Sequence, residues 1–176
     1  MKTDLHGFLE NQKTPFDNHI LDGYETPRSY DGRIKFDVMI DLSYVKGIWH
    51  SQYAGRTWSK LVAGETVGDS VPLKRLDQCL KDLKKTPKYY LSKARKWNWS
   101  FYEVDGIYYV ICGNHRTVVA RYFLEMNGLD PVVYGVTVTS VPRDVWKLAQ
   151  DPGAIVPEYG FPFEPGIELH SQKENE

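Results

Sequence analysis

Residues 99–128 read WSFYEVDGIYYVICGNHRTVVARYFLEMNG, and this stretch decides the fold. Asp105-Gly106 sits between two runs of aromatic and β-branched residues. A type I′ turn needs positive φ at both central positions, which favours this dipeptide, so the spacing predicts a tight hairpin. The register then sets Tyr102 opposite Tyr109 on one face and Phe101 opposite Val110 on the other. Both faces are apolar, which places the hairpin inside a sheet covered on both sides. Gly113 ends the second strand, and a helix over Asn114–Asn127 comes next. Val118, Val119, Tyr122, Phe123 and Met126 form its apolar stripe, Asn114 its N-cap and Asn127-Gly128 its stop.

The rest of the chain is arranged around this unit. Ile34, Phe36, Val38 and Ile40 recur at period two, which predicts a half-buried strand within Arg33–Val45. Residues 47–70 show no strong period and read as a long irregular connection. Leu76, Leu80 and Leu83 mark a helical stretch within Leu73–Leu91, which Pro87 divides in two. Val132–Val141 reads as another strand and Arg143–Gln150 as a short helix. The fold class implied is α/β, a small mixed sheet with flanking helices. Residues 1–33 read as an irregular N-terminal extension, 34–142 as the domain proper, and 143–176 as a short helix with a Pro-rich acidic tail that frays from Ser171 onward.

Composition narrows the function classes. The chain has 176 residues, 41 % hydrophobic and 26 % charged, enough to bury a core. A formal net charge of -1 gives no overall attraction to nucleic acid or membrane. It conceals an asymmetry: nine basic residues face two acids between Lys74 and Lys96, whereas six acids face one lysine in 151–176. No apolar run is long enough to span a bilayer, and residues 1–10 lack the apolar segment of a secretory signal. The expectation is a cytoplasmic protein without membrane insertion. Cys79 and Cys112 fall in segments that read as buried, which predicts reduced core thiols with Cys112 pointing into the sheet.

The strand-to-helix junction carries the chemistry. The first turn of a helix leaves backbone N–H groups unpaired under a partial positive charge. Gly113 allows close approach to the backbone, Asn114, His115 and Arg116 add side-chain donors, and Thr117 adds a hydroxyl. Gly113, Asn114, His115, Arg116 and Thr117 therefore form a candidate phosphate or nucleotide site, with His115 and Arg116 as candidate catalytic groups. The same residues also fit an ordinary helix start with a cap and two solvated side chains. Lys84, Lys85, Lys88, Lys93, Arg95 and Lys96, interleaved with Tyr89, Tyr90 and Trp97, form a candidate nucleic-acid surface, or else a solvated basic face whose rings belong to the core. Arg56 beside Gly55 is a second candidate phosphate clamp, or else a loop arginine paired with an acid, the reading the residues favour. Glu103, Asp105 and Glu125 are badly placed for the junction, so no carboxylate is assigned, and the metal ligands stay open.

A strand, then Gly113-Asn114-His115-Arg116, then a helix with Val118, Val119 and Ala120 resembles the signature of the ParB/sulfiredoxin fold. The resemblance covers roughly residues 34–142. Sulfiredoxins carry a catalytic cysteine where this chain has Asn114, so reduction of sulfinic acids is not expected. Partition proteins usually have Gly-Glu-Arg-Arg at the junction, with further domains beyond it that the 35 residues after Val141 are too few to supply. The chain is more similar to stand-alone members such as the plasmid oncogenic suppression and fertility-inhibition proteins. That resemblance implies nucleotide or DNA binding, with ATP or another nucleotide and a divalent metal such as magnesium as cofactors. It also implies ATPase or DNase activity and a protein partner in DNA-transfer machinery. The alternative is a non-catalytic protein that inhibits such a partner.

Overall fold

In the computed structural model, residues 1–27, 32–62 and 73–153 are described. The order of elements is α1 (Leu5–Asn11), β1 (Ile20–Leu21), β2 (Arg33–Asp41), β3 (Val45–Ile48), β4 (Arg56–Thr57), α2 (Trp58–Val62), α3 (Leu76–Lys85), β5 (Ser100–Val104), β6 (Ile107–Cys112), α4 (Asn114–Met126), β7 (Val132–Ser140) and α5 (Arg143–Gln150). A mixed five-stranded sheet runs in the order β2-β7-β5-β6-β3. Its hairpin has the expected register, Tyr102 against Tyr109 and Phe101 against Val110. Asp105 and Gly106 have φ of 51° and 79°, the positive values that the turn requires.

The hairpin is covered on both sides, as its two apolar faces demand. Phe101 and Val110 point into the main core, where they meet the α4 residues Val118, Val119, Tyr122 and Phe123. Leu76, Leu80 and Leu83 bring α3 into the same core. Tyr102 and Tyr109 lie on the other face, against a smaller cluster of Tyr24, Val104, Val141, Val145 and Trp146. Tyr24 donates its hydroxyl to the Val110 carbonyl at 2.9 Å, and burial raises its pKa. α4 buries more than a stripe: Thr117, Ala120 and Leu124 are enclosed too, because the sheet and the flanking helices surround it.

Several expectations are corrected. The segment 33–45 is not one half-buried strand. Ile34 and Phe36 are exposed, and Ile40 is the residue of the period-two set that is buried. Asp37 adopts a φ of 57°, and the pairing with β7 shifts register on both sides of Val38. Such an irregularity breaks the alternation of faces that the pattern assumes. Residues 1–33 are not an irregular appendage: α1 and β1 lie there, and Leu5, Phe16 and Leu21 enter the main core. Within 47–70, β3 ends at Ile48, and β4 and α2 come next before the described part stops at Val62. Pro87 does end α3, but the chain then makes a single 3-10 turn, Pro87–Tyr89, rather than a second α-helix. The acidic tail from 154 to 176, including its expected fraying, lies outside the described residues.

Candidate functional site

β6 ends at Cys112, and Gly113 turns the chain into α4 with φ 90° and ψ 27°. A side chain on this residue is excluded twice over. The conformation is left-handed, and a Cβ would lie 2.6 Å from Cδ1 of Trp99. Gly113 thus holds the cap position itself, and Asn114, the expected N-cap, is already the first helical residue with no capping side-chain bond. Trp99 is fully buried; its indole N–H donates to Thr117 Oγ1 at 2.8 Å, and that hydroxyl donates to the Gly113 carbonyl at 3.0 Å. Thr117 is therefore a buried tie between Trp99 and the glycine, which corrects its expected role as a phosphate ligand.

The junction opens into a cleft of about 750 Å³. Gly113, Asn114, His115 and Arg116 line it from α4 and the turn before it. Arg75 and Asp82 enter from the α3 side, and His50 and Trp49 from the segment after β3. Tyr89, Tyr90 and Asn98 complete the aromatic and polar wall. His115 Nε2 and Asn114 Oδ1 are buried there without a hydrogen-bond partner among the described residues. Burial lowers the His115 pKa from its ordinary 6.5, and the positive charges of Arg75, His50 and Arg116 lower it further. The imidazole is thus neutral at neutral pH, set edge-on to Tyr53 with ring centres 5.7 Å apart, while His50 stacks on the same tyrosine.

Arg116 is differently held from the free clamp that the sequence suggests. Its guanidinium donates to the Tyr89 hydroxyl at 3.0 Å, to the Trp97 carbonyl at 2.9 Å and to the Asn98 carbonyl. It also lies over the Trp99 ring at 5.6 Å. These acceptors fix its position and leave its charge in the wall of the cleft. Neutral oxygens orient a cation without neutralising it, so Arg116 contributes field more than a movable hand.

The basic stretch is divided by the fold. Lys84, Lys85, Lys88, Lys93 and Arg95 are exposed, and none of them lines the cleft. Lys96 is 3 % exposed; its ammonium donates to the carbonyls of Ser92 and Tyr134, and burial lowers its pKa. It is a clamp inside the protein, which corrects its expected contact with nucleic acid. Arg56 belongs to a short strand pair with Leu21, not to an open loop, and does not line the cleft. The thiols are also corrected. Cys112 is exposed and Cys79 half-buried, both are free, and both line the cleft. Cys112 escapes the core because it is the last residue of β6, where the strand leaves the sheet.

Sequence reasoning missed Trp49, His50, Arg75, Cys79 and Asp82 as cleft residues. A signal for part of this set exists: Arg75, Gln78, Cys79, Asp82 and Thr86 succeed one another at helical spacing, beside the leucine stripe of α3. Trp49 and His50 have no such signal. Asp105 pairs with Arg143 at 3.5 Å at the hairpin tip, and Glu103 accepts from the Gly106 N–H, so neither reaches the junction. Among the described residues no group of three or more His, Cys, Asp or Glu is placed to hold a metal ion. No helix among them is long and apolar enough to cross a membrane. Comparison of the chain with protein-family models, with curated proteins and with solved structures returned no match.

Proposed function

We propose that the cleft binds the phosphate of a nucleotide or nucleic acid. The observation that carries this reading is the pair of buried atoms, His115 Nε2 and Asn114 Oδ1, unpartnered among the described residues, in a wall that also holds Arg75 and Arg116. Leaving a buried polar atom unpaired costs about 1–3 kcal/mol, a cost that a bound ligand removes. Neutral His115 donates through Nε2–H to a phosphate oxygen, and Asn114 accepts from a ribose or phosphate hydroxyl or, after a half-turn of its amide, donates. The N–H groups of the first turn of α4 face the same anion. The mixed sheet and the strand–glycine–helix junction agree with the ParB/sulfiredoxin resemblance, which supports the same ligand class.

Hydrolysis of a phosphoanhydride or phosphodiester is the second reading, favoured by Asp82 and a neutral His115 in one cleft. In this reading His115 carries its proton on Nδ1 and takes the proton of a water on Nε2 as the water oxygen bonds to phosphorus, and the leaving oxygen departs from the opposite side with the electron pair of the broken P–O bond. Magnesium, which binds through one or two carboxylates together with substrate phosphates, fits Asp82 as its protein ligand and would neutralise phosphate charge. Such an activity suits a protein that limits DNA transfer, as the resemblance implies.

Calorimetric titration with ATP and with pyrophosphate tests the binding. Arg75→Ala is expected to raise Kd about tenfold, since a charged hydrogen bond contributes about 1.5–3 kcal/mol before solvent screening at this exposed residue. Equal Kd for the wild type, Arg75→Ala and His115→Ala would remove the cleft from the function.

A further inference from the structure

Residues 92–99 form a loop pinned from inside. Lys96 donates its backbone N–H to Gly135 and its ammonium to two carbonyls, and Trp99 is locked to Thr117. Between these anchors Trp97 is held outward with 71 % of its surface exposed. Arg95 lies beside it, its guanidinium 4.4 Å from the centre of the Trp97 ring and 4.3 Å from that of Phe36 on β2. Phe36 is itself 54 % exposed. Lys93 sits over Tyr134 at 5.5 Å, and the exposed Arg33 and Lys35 extend the positive charge along β2, with Asp37 as the neighbouring acid. Two large rings kept in water on rigid backbone, spaced by a guanidinium and flanked by cations, suit a polyanion that carries flat apolar groups.

We infer that Phe36, Arg95 and Trp97 form a stacking ledge for an unpaired base of a single-stranded polynucleotide whose phosphate enters the cleft. This rests on the phosphate reading of the cleft and narrows its ligand from any nucleotide to a single strand. The two places are joined through backbone: the carbonyls of Trp97 and Asn98 accept from Arg116, and Asn98 itself lines the cleft. A base on Trp97 and a phosphate beside Arg116 are therefore held by one continuous piece of chain. A duplex hides the faces of its bases and does not use the ledge.

Fluorescence anisotropy with a labelled oligothymidylate, the matching duplex and inorganic polyphosphate tests the ledge, with ATP titrated separately by calorimetry. Trp97→Ala keeps the backbone carbonyl that Arg116 uses, and the exposed ring contributes little to the core. Trp97→Ala is expected to weaken oligothymidylate binding about tenfold or more, with Trp97→Phe restoring most of it. Binding of polyphosphate, which has charge but no rings, and of ATP is expected to stay unchanged in Trp97→Ala. An unchanged oligothymidylate affinity in Trp97→Ala overturns the ledge, as does a wild type that binds no single strand or that prefers the duplex. If the wild type fails to bind ATP or pyrophosphate while Trp97→Ala still weakens the strand, the cleft reading falls, the placing of the strand's phosphate falls with it, and base stacking on the ledge alone is retained. If ATP binds and the ring substitution is silent, the reverse holds.

Discussion

The two ends of β6 are built from the same kind of chain and left in opposite states. At its start, the hairpin end, polar groups are paired: Glu103 accepts from the Gly106 N–H, and Asp105 meets Arg143. Tyr24 and Trp146 lie over Tyr109 along the strand. At the Cys112 end the sheet opens into a cleft where Asn114 and His115 carry buried atoms that have no partner among the described residues, and Arg116 brings a charge held by neutral oxygens and the Trp99 ring. Glycine stands at both ends, in left-handed conformation at both, yet Gly106 has open space around it and Gly113 lies against Trp99. One end is a turn closed on itself. The other is a turn closed on the core and open to a cleft.

Alanine at each glycine gives the largest test of that difference. Gly106→Ala is expected to cost about 1–2 kcal/mol, from left-handed backbone alone. Gly113→Ala adds the displacement of a packed indole, another ~1–3 kcal/mol, and disturbs the cleft as well. Urea denaturation of both variants measures the gap; equal losses would mean that Trp99 yields without cost.

A pH series sharpens the comparison further. His115 has its pKa lowered in the folded protein, by burial first and by Arg75, His50 and Arg116 after it. As pH falls below the ordinary 6.5, the unfolded chain takes up its proton first, so the folded state loses stability toward acid. A bound anion raises the folded pKa again, and phosphate affinity is expected to rise as pH falls through the same window. His115→Gln removes that pH dependence of binding, as read by calorimetry at several pH values. The smallest effect belongs to the hairpin end. Arg143→Ala breaks an exposed ion pair and is expected to change stability by less than ~1 kcal/mol and phosphate affinity not at all, by denaturation and titration.

Local chemistry made the hairpin and α4 readable. Asp105-Gly106 admits few conformations, and the paired aromatic positions fix the register once the turn is set. The same logic failed over β2, where Asp37 enters positive φ and shifts the pairing; no strand pattern encodes that irregularity. At the junction the sequence pointed to Asn114, His115 and Arg116, and the fold brings all three to the cleft. It did not reveal that Thr117 and Lys96 turn inward, because polar residues read as exposed until a carbonyl or indole is seen to satisfy them. Arg75 and Asp82 were hidden for another reason: they come from a helix some thirty to forty residues upstream of the junction, and no local rule links the two segments.

The pairing of β2 with β7 has a consequence for biogenesis. β2 leaves the ribosome before its sheet partner, which emerges after roughly ninety residues, about 5–20 s of translation at typical speeds. Until then the backbone N–H and C=O groups of β2 that pair with β7 have no sheet partner. A nascent chain halted before Val132 cannot complete its sheet, whatever helices it has already formed.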